Sequence, residues 1–179
     1  MRRGLQAWGD KIMARAHPKL ALRPFLPADV PMLAEIFRAS IEELAADDYS
    51  ESQREAWAAT AEDEAAFGAR LAKALTLLGT MDGSPVGFAS LEGPERLTML
   101  YVHPAAAGHG VGSMLIDALE KLAASRGAPR LTADVSDSAE EFFKRRGFVP
   151  QQRNTTPLGD EWLANTTMEK KLAAKERTP

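Results

Sequence analysis

The chain has 179 residues, 45% hydrophobic and 26% charged, with a formal net charge of −3 and no cysteine. This suits one soluble globular domain and excludes disulfides, thiolate metal sites and any route through an acyl-cysteine. No Lys/Arg run marks a nucleic-acid partner, no apolar stretch approaches the roughly 20 residues of a membrane span, and His17, His103 and His109 lack metal-helix spacing. The basic start Met1-Arg2-Arg3 is followed by no apolar segment, so a cytoplasmic protein is expected, with residues 1–18 as an extension and Met13 as an alternative start.

Taken in order, Lys19 to Phe25 alternates apolar and polar residues and predicts a short strand. Pro27-Ala28-Asp29 then opens a helix whose apolar residues Val30, Leu33, Ile36, Phe37, Ile41 and Leu44 recur at helical spacing. Ser50 can cap a second, short helix carrying Gln53 and Trp57, and a third runs from about Asp63 to Ala74. The period then changes to two. Leu75–Met81 and Val86–Leu91 read as strands joined by a turn at Asp82-Gly83-Ser84-Pro85, and Arg96–Val102 is a further strand ended by His103-Pro104. A long helix begins at Val111 and closes at Arg126-Gly127; Arg130–Val135 is a strand. Asp137 is expected to cap a helix to Arg146, and Phe148–Arg153 with Glu161–Lys170 form a last strand pair. Residues 19–172 form one domain, with 173–179 as a tail.

Between the strand ending at Val102 and the long helix lie Gly108, Gly110 and Gly112. Glycines let a ligand approach the backbone, and successive N–H groups before a helix N-terminus make an anion site. A phosphate loop of the Walker type would need a lysine before Ser113, and a dinucleotide fingerprint would need its third glycine two residues further on. A ligand-free strand-to-helix turn is the plainer alternative.

The run Leu100-Tyr101-Val102-His103-Pro104-Ala105-Ala106-Ala107-Gly108-His109-Gly110-Val111-Gly112-Ser113 resembles motif A of the GCN5-related N-acetyltransferases (GNAT). Ala139-Glu140-Glu141-Phe142-Phe143-Lys144-Arg145-Arg146-Gly147-Phe148 resembles motif B of the same family, at the expected separation. The resemblance implies an α/β, single-domain GNAT-like fold, a mixed six- to seven-stranded sheet flanked by helices. It implies acetyl-CoA as acyl donor and transfer to an amine of a small molecule or peptide; an acyl-CoA-binding module without turnover is the alternative. By the same resemblance, Leu100 and Val102 match positions that hold the pantetheine arm. Gly108, His109, Gly110, Val111, Gly112 and Ser113 match the pyrophosphate loop, and Ser136 stands at a cofactor-touching position. Phe142 and Phe143 fall on the helix lining the thioester end, with core packing as the alternative for both and the plainer reading for Phe142.

Two departures stand out: Ala107 replaces the usual Arg or Gln, and Phe143 replaces the tyrosine that often protonates the leaving thiolate. Tyr49 and Tyr101 are the only tyrosines that could replace it. Asp134, interrupting an apolar strand, is the candidate base if desolvation raises its pKa, and a solvated strand-end residue otherwise; Glu95 is the weaker candidate. Tyr49-Ser50-Glu51-Ser52-Gln53-Arg54-Glu55-Ala56-Trp57 resembles a pattern in a bacterial subgroup of acetyltransferases, placing Tyr49, Gln53 and Trp57 in the acceptor pocket, or Trp57 as a plain anchor. Glu42, Glu43, Asp47, Asp48 and Glu51 either favour a cationic amine or form a solvated face. Apolar residues near Trp162 suggest a homodimer contact.

Overall fold

The computed structural model describes residues 17–173. The expected start at Met13 lies outside these residues, as do nearly all of the extension and the tail.

Seven strands form one sheet in the order β1-β2-β3-β4-β5-β7-β6. They are β1 Leu20–Pro24, β2 Leu75–Met81, β3 Ser84–Glu92, β4 Arg96–Val102, β5 Arg130–Ser136, β6 Val149–Leu158 and β7 Glu161–Lys171. Every neighbouring pair is antiparallel except β4–β5, which is parallel. The helices are α1 Val30–Leu44, α2 Glu51–Ala58, α3 Glu64–Lys73, α4 Val111–Ser125 and α5 Glu140–Arg145.

Local chemistry accounts for most boundaries. Ser50 and Gln53 close a reciprocal capping box on α2: the Gln53 N–H donates to Ser50 Oγ (3.2 Å), and the Ser50 N–H to Gln53 Oε1 (2.9 Å). Asp63 caps α3 by accepting from the Ala66 N–H (3.0 Å). Asp82 and Gly83, both at positive φ, form a two-residue hairpin turn, so β3 starts at Ser84, earlier than the pattern suggested. The last hairpin is longer than its pattern: β6 continues past Arg153, through Pro157, to Leu158. An edge strand tolerates prolines, and β6 is the edge.

One predicted cap does not form. Residues 137–139 make a 3₁₀ turn ahead of a six-residue α5, and the Asp137 carboxylate is taken by Arg153 instead (2.8 Å from Nη2 to Oδ2).

The two faces of the sheet carry separate cores. Val111, Leu115, Ile116, Leu119 and Ala123 of α4 pack with Phe143 and Phe148 on one face. Leu33, Ile36, Phe37 and Ile41 of α1 pack with Phe67 and Leu71 of α3, over Leu78 and Phe88, on the other. Val111 seats the start of α4 unusually close to the sheet. A Cβ added at Gly79 would lie 2.8 Å from Val111 Cγ1, and one at Gly87 would lie 3.0 Å from it. Two bare strand positions therefore fix the height of the loop that precedes α4.

Candidate active site

The loop before α4 has the properties of an anion cradle. Gly108 (φ 77°) and Gly110 (φ 86°) are left-handed, which costs other residues roughly 1–2 kcal/mol. Gly110 is the N-cap of α4, and no side chain caps the helix there. Among the described residues, the N–H groups of Gly108, Gly110, Val111, Gly112 and Ser113 have no backbone acceptor, the first intrahelical bond being Met114 N–H to the Gly110 carbonyl (3.0 Å). Gly112 faces Phe142: a Cβ there would lie 3.4 Å from the ring. Unpaired donors, an uncapped helix end and bare glycines suit a pyrophosphate.

This loop forms one end of a cavity of about 700 Å³, bounded by Leu100 and Val102 of β4, by Ser136 and by Phe142. The cavity exists because β4 and β5 part. They pair only at Arg96↔Thr132 and Leu97↔Ala133. A bulge explains where they separate: Ser90 pairs with Met99 and Leu91 with Leu97, leaving Thr98 as an extra residue that bends β4. Beyond it the β5-facing backbone of β4 has no strand partner, which leaves it free for the amides of an extended ligand.

A smaller cavity of about 290 Å³ opens towards α1, α2 and α3 and is lined by Phe37, Trp57, Arg70, Asp134 and Asn165 among others. Trp57, Tyr101 and Ser136 border both cavities, so these meet at one shared wall. Tyr101 is packed against Phe37 (4.5 Å between ring centroids), Phe88 (5.7 Å) and Trp57 (6.3 Å). Burial pushes its phenol up to about 12, with the neighbouring Trp57 indole and the Arg70 charge pulling the other way. Tyr101 therefore holds its proton throughout the neutral range.

The other residues named from sequence divide. Gly108, Gly110, Val111, Gly112 and Ser113 line the large cavity. His109 does not: its ring is exposed and Nδ1 lies 3.0 Å from the Ala107 carbonyl oxygen. Phe143 packs in the core (4% exposed) against Phe148 and reaches only a small void at the parting of β4 and β5, whereas Phe142 lines the large cavity. The two phenylalanines thus exchange the places expected of them.

Gln53 is not in the pocket. Its oxygen serves the capping box and its amide donates to the Trp162 carbonyl (2.7 Å), tying α2 to the last hairpin. Tyr49 lines the smaller cavity with its ring, but its hydroxyl donates to the Ala164 carbonyl (2.6 Å) and accepts from the Asp137 N–H (2.9 Å). Burial pushes this phenol up as well, with the Asp137 bond opposing. Asp134 is not desolvated: its side chain is 37% exposed, paired with Arg96 (2.7 Å), and accepts from Thr167 Oγ1 (2.7 Å). Glu95 pairs with Arg130 outside both cavities. None of the five acidic residues between Glu42 and Glu51 lines either cavity.

Sequence reasoning missed three arginines. Arg145 and Arg146, at the end of α5, border the large cavity, and Arg146 is paired with Asp117. Arg70 borders the smaller one. A basic pair in the last turn of a short helix reads as dipole compensation, so only the three-dimensional arrangement reveals their position.

A parted parallel strand pair, with an uncapped glycine loop at the mouth of the gap, defines an acyl-CoA N-acyltransferase fold. Comparison with known proteins agrees. The Acetyltransferase (GNAT) domain family matches residues 45–172. An uncharacterized N-acetyltransferase of Escherichia coli K12, YafP, is 31% identical over 150 residues, covering 83% of this chain and 94% of YafP. The peptidyl-lysine N-acetyltransferase YjaB of Salmonella typhimurium LT2 is 28% identical over 151 residues, 83% of this chain and 81% of that one. Among solved structures, a GCN5-related N-acetyltransferase from Rhodopseudomonas palustris is 62% identical with a TM-score of 0.84, covering 85% of this chain and 95% of that one. At 22% identity, the PaiA N-acetyltransferase of Thermoplasma acidophilum, solved with coenzyme A, shares the fold (TM-score 0.73; 86% and 99% covered). The chain belongs to the GNAT acetyltransferase family, the acyltransferases that take acetyl-CoA as donor.

Among the described residues, no helix is long and apolar enough to cross a membrane.

Proposed function

We propose that this protein transfers the acetyl group of acetyl-CoA to a primary amine by direct attack in a ternary complex. The observation that carries this is the shared wall: the cavity with the anion loop and the smaller cavity meet at Trp57, Tyr101 and Ser136. The backbone of Gly108 and of Gly110–Ser113 holds the pyrophosphate, and the unpaired edge of Leu100–Val102 holds the pantetheine arm. Arg145, at the cavity rim and in no ion pair among the described residues, adds a cationic contact for the phosphates.

Bound there, acetyl-CoA supplies an activated thioester. The Val102 amide donates to the oxyanion that develops on its carbonyl. The acceptor nitrogen attacks, the carbon–sulfur bond breaks, and Tyr101, which holds its proton at neutral pH, donates that proton to the leaving sulfur and takes up another from solvent. Among the described residues Asp134 is the one carboxylate lining either cavity; although Arg96 and Thr167 already engage its two oxygens, it is the group there that receives the proton of the acceptor amine, and it passes that proton on to solvent. Replacement of Asp134 by Asn is expected to lower kcat roughly 10²-fold and leave acetyl-CoA binding intact. A loss below threefold would assign that proton to solvent.

An acyl-CoA-binding module without turnover is the second reading, favoured by a buried Phe143 at the position where the motif it resembles often has a tyrosine. Calorimetric titration with acetyl-CoA, against ATP and NAD, tests what both readings share. Selective binding that Gly110→Asp abolishes and Gly110→Ala largely retains supports the loop assignment. Equal affinity in Gly110→Asp overturns it. Turnover with a panel of amines, peptide lysine included, then separates enzyme from module.

A further inference from the structure

We infer that the acceptor carries an anionic group, a carboxylate above all, and that Arg70 at the mouth of the smaller cavity is its receptor. The inference rests on the transferase reading and names the class of amine that the same site takes.

The charges on the cavity wall are few. Asp134 is already neutralised by Arg96 (2.7 Å) and accepts a further bond from Thr167. Arg70 has no carboxylate partner among the described residues. Its field reaches the Tyr101 phenol, where it opposes the upward push of burial. The uncompensated charge of the acceptor cavity is therefore positive. The acidic run between Glu42 and Glu51, which from sequence alone favoured a cationic molecule, lies outside this wall.

Arg70 is also held in place. Its Nη2 donates to the Thr60 carbonyl (2.7 Å), and its guanidinium carbon lies 5.4 Å from the centre of the Phe67 ring. Thr60 is fixed in turn by donating to the Trp57 carbonyl (2.8 Å). A guanidinium pinned at one nitrogen and stacked on a ring keeps further N–H groups for a planar anion, and less rotamer entropy is lost when the anion binds. Asn165, also on the cavity wall, accepts from Asn154 through Oδ1 (3.0 Å), which leaves its own amide N–H groups to donate. The same wall carries apolar surface from Phe37, Trp57 and Leu163 beside a few hydroxyl groups. A cavity of about 290 Å³ suits a small molecule or the end of a peptide. An amine with an apolar body and a carboxylate fits this wall.

The test compares matched pairs: phenylalanine against phenethylamine, and 4-aminobutyrate against propylamine. Release of coenzyme A is followed with a thiol reagent, which meets no background because the chain has no cysteine. The wild type is expected to prefer the carboxylated member of at least one pair by about 10- to 100-fold in kcat/KM. Arg70→Gln should erase that preference mainly through KM of the acceptor, Arg70→Lys should restore part of it, and acetyl-CoA affinity should stay unchanged in both. Equal or better use of the decarboxylated amines overturns the inference, and so does a preference that survives Arg70→Gln. Absence of transfer to any carboxylated amine, with acetyl-CoA bound, overturns it too. Failure of acetyl-CoA to bind the wild type instead removes the transferase reading itself.

Discussion

Tyr101 carries the sharpest expectation at the residue scale. Its hydroxyl group remains neutral well above pH 9, because burial raises its titration to about 12. It can donate a proton to a thiolate, and cannot act as a base near neutrality. A rise of kcat/KM with pH below that range therefore reports deprotonation of the acceptor amine. Tyr101→Phe should lower kcat by roughly 10²-fold without moving the pH profile, as measured by steady-state kinetics from pH 6 to 9.5. A profile whose upper limb disappears in the variant would mean that Tyr101 itself titrates there. The residue was legible only in part. Its place at the end of a strand before the glycine loop came from the motif, whereas its enclosure by Phe37, Phe88 and Trp57 joins three distant segments. The exchange of Phe142 and Phe143 was beyond reach for a different reason. A six-residue helix entered through a 3₁₀ turn gives too short a pattern to say which of two adjacent aromatics points inward.

Elements are positioned by a few ties that periodicity does not display. Tyr49 joins the α1–α2 connection to β7 and to the turn after β5 through two hydrogen bonds of one hydroxyl. Tyr49→Phe strands a carbonyl and an N–H, and should cost about 1–3 kcal/mol in chemical denaturation while acetyl-CoA still binds. The seating of α4 supplies a second test. Gly79→Ala drives a methyl group into Val111 and should push the glycine loop outward, weakening acetyl-CoA binding several-fold by calorimetry. Adding Val111→Ala should restore much of that affinity. If the double variant binds no better than Gly79→Ala, the loop's height is set elsewhere. The sequence made α4 and its loop plain, because glycine spacing and a 3.6-residue period are local signals. It could not reveal that two glycines on other strands determine how deep the helix sits. It also cut β6 short at Arg153, whereas the strand runs on through Pro157 to Leu158, as an edge strand can.

For the molecule as a whole, β4 and β5 matter most, since they pair at only two positions. The sheet is in effect two blocks, β1 to β4 and β5 to β7, stitched at one end and bridged by α4. The resemblance pointed to a pantetheine arm along Leu100 and Val102, but the parting that admits it, and the extra residue Thr98 beside it, leave no mark in composition or period. A structure divided this way should be least protected along the parted edge. In hydrogen–deuterium exchange, the amides of Leu100–Val102 on the open side of β4 should exchange faster than those of β2 or β3. Acetyl-CoA, lying against that edge, would take the place of the missing strand contacts. Its arrival should slow exchange on β4 and β5 together and raise the melting temperature in proportion to the logarithm of its concentration. The donor would then serve as a structural member of the fold, and the protein would be at its most cohesive when loaded and waiting for an amine.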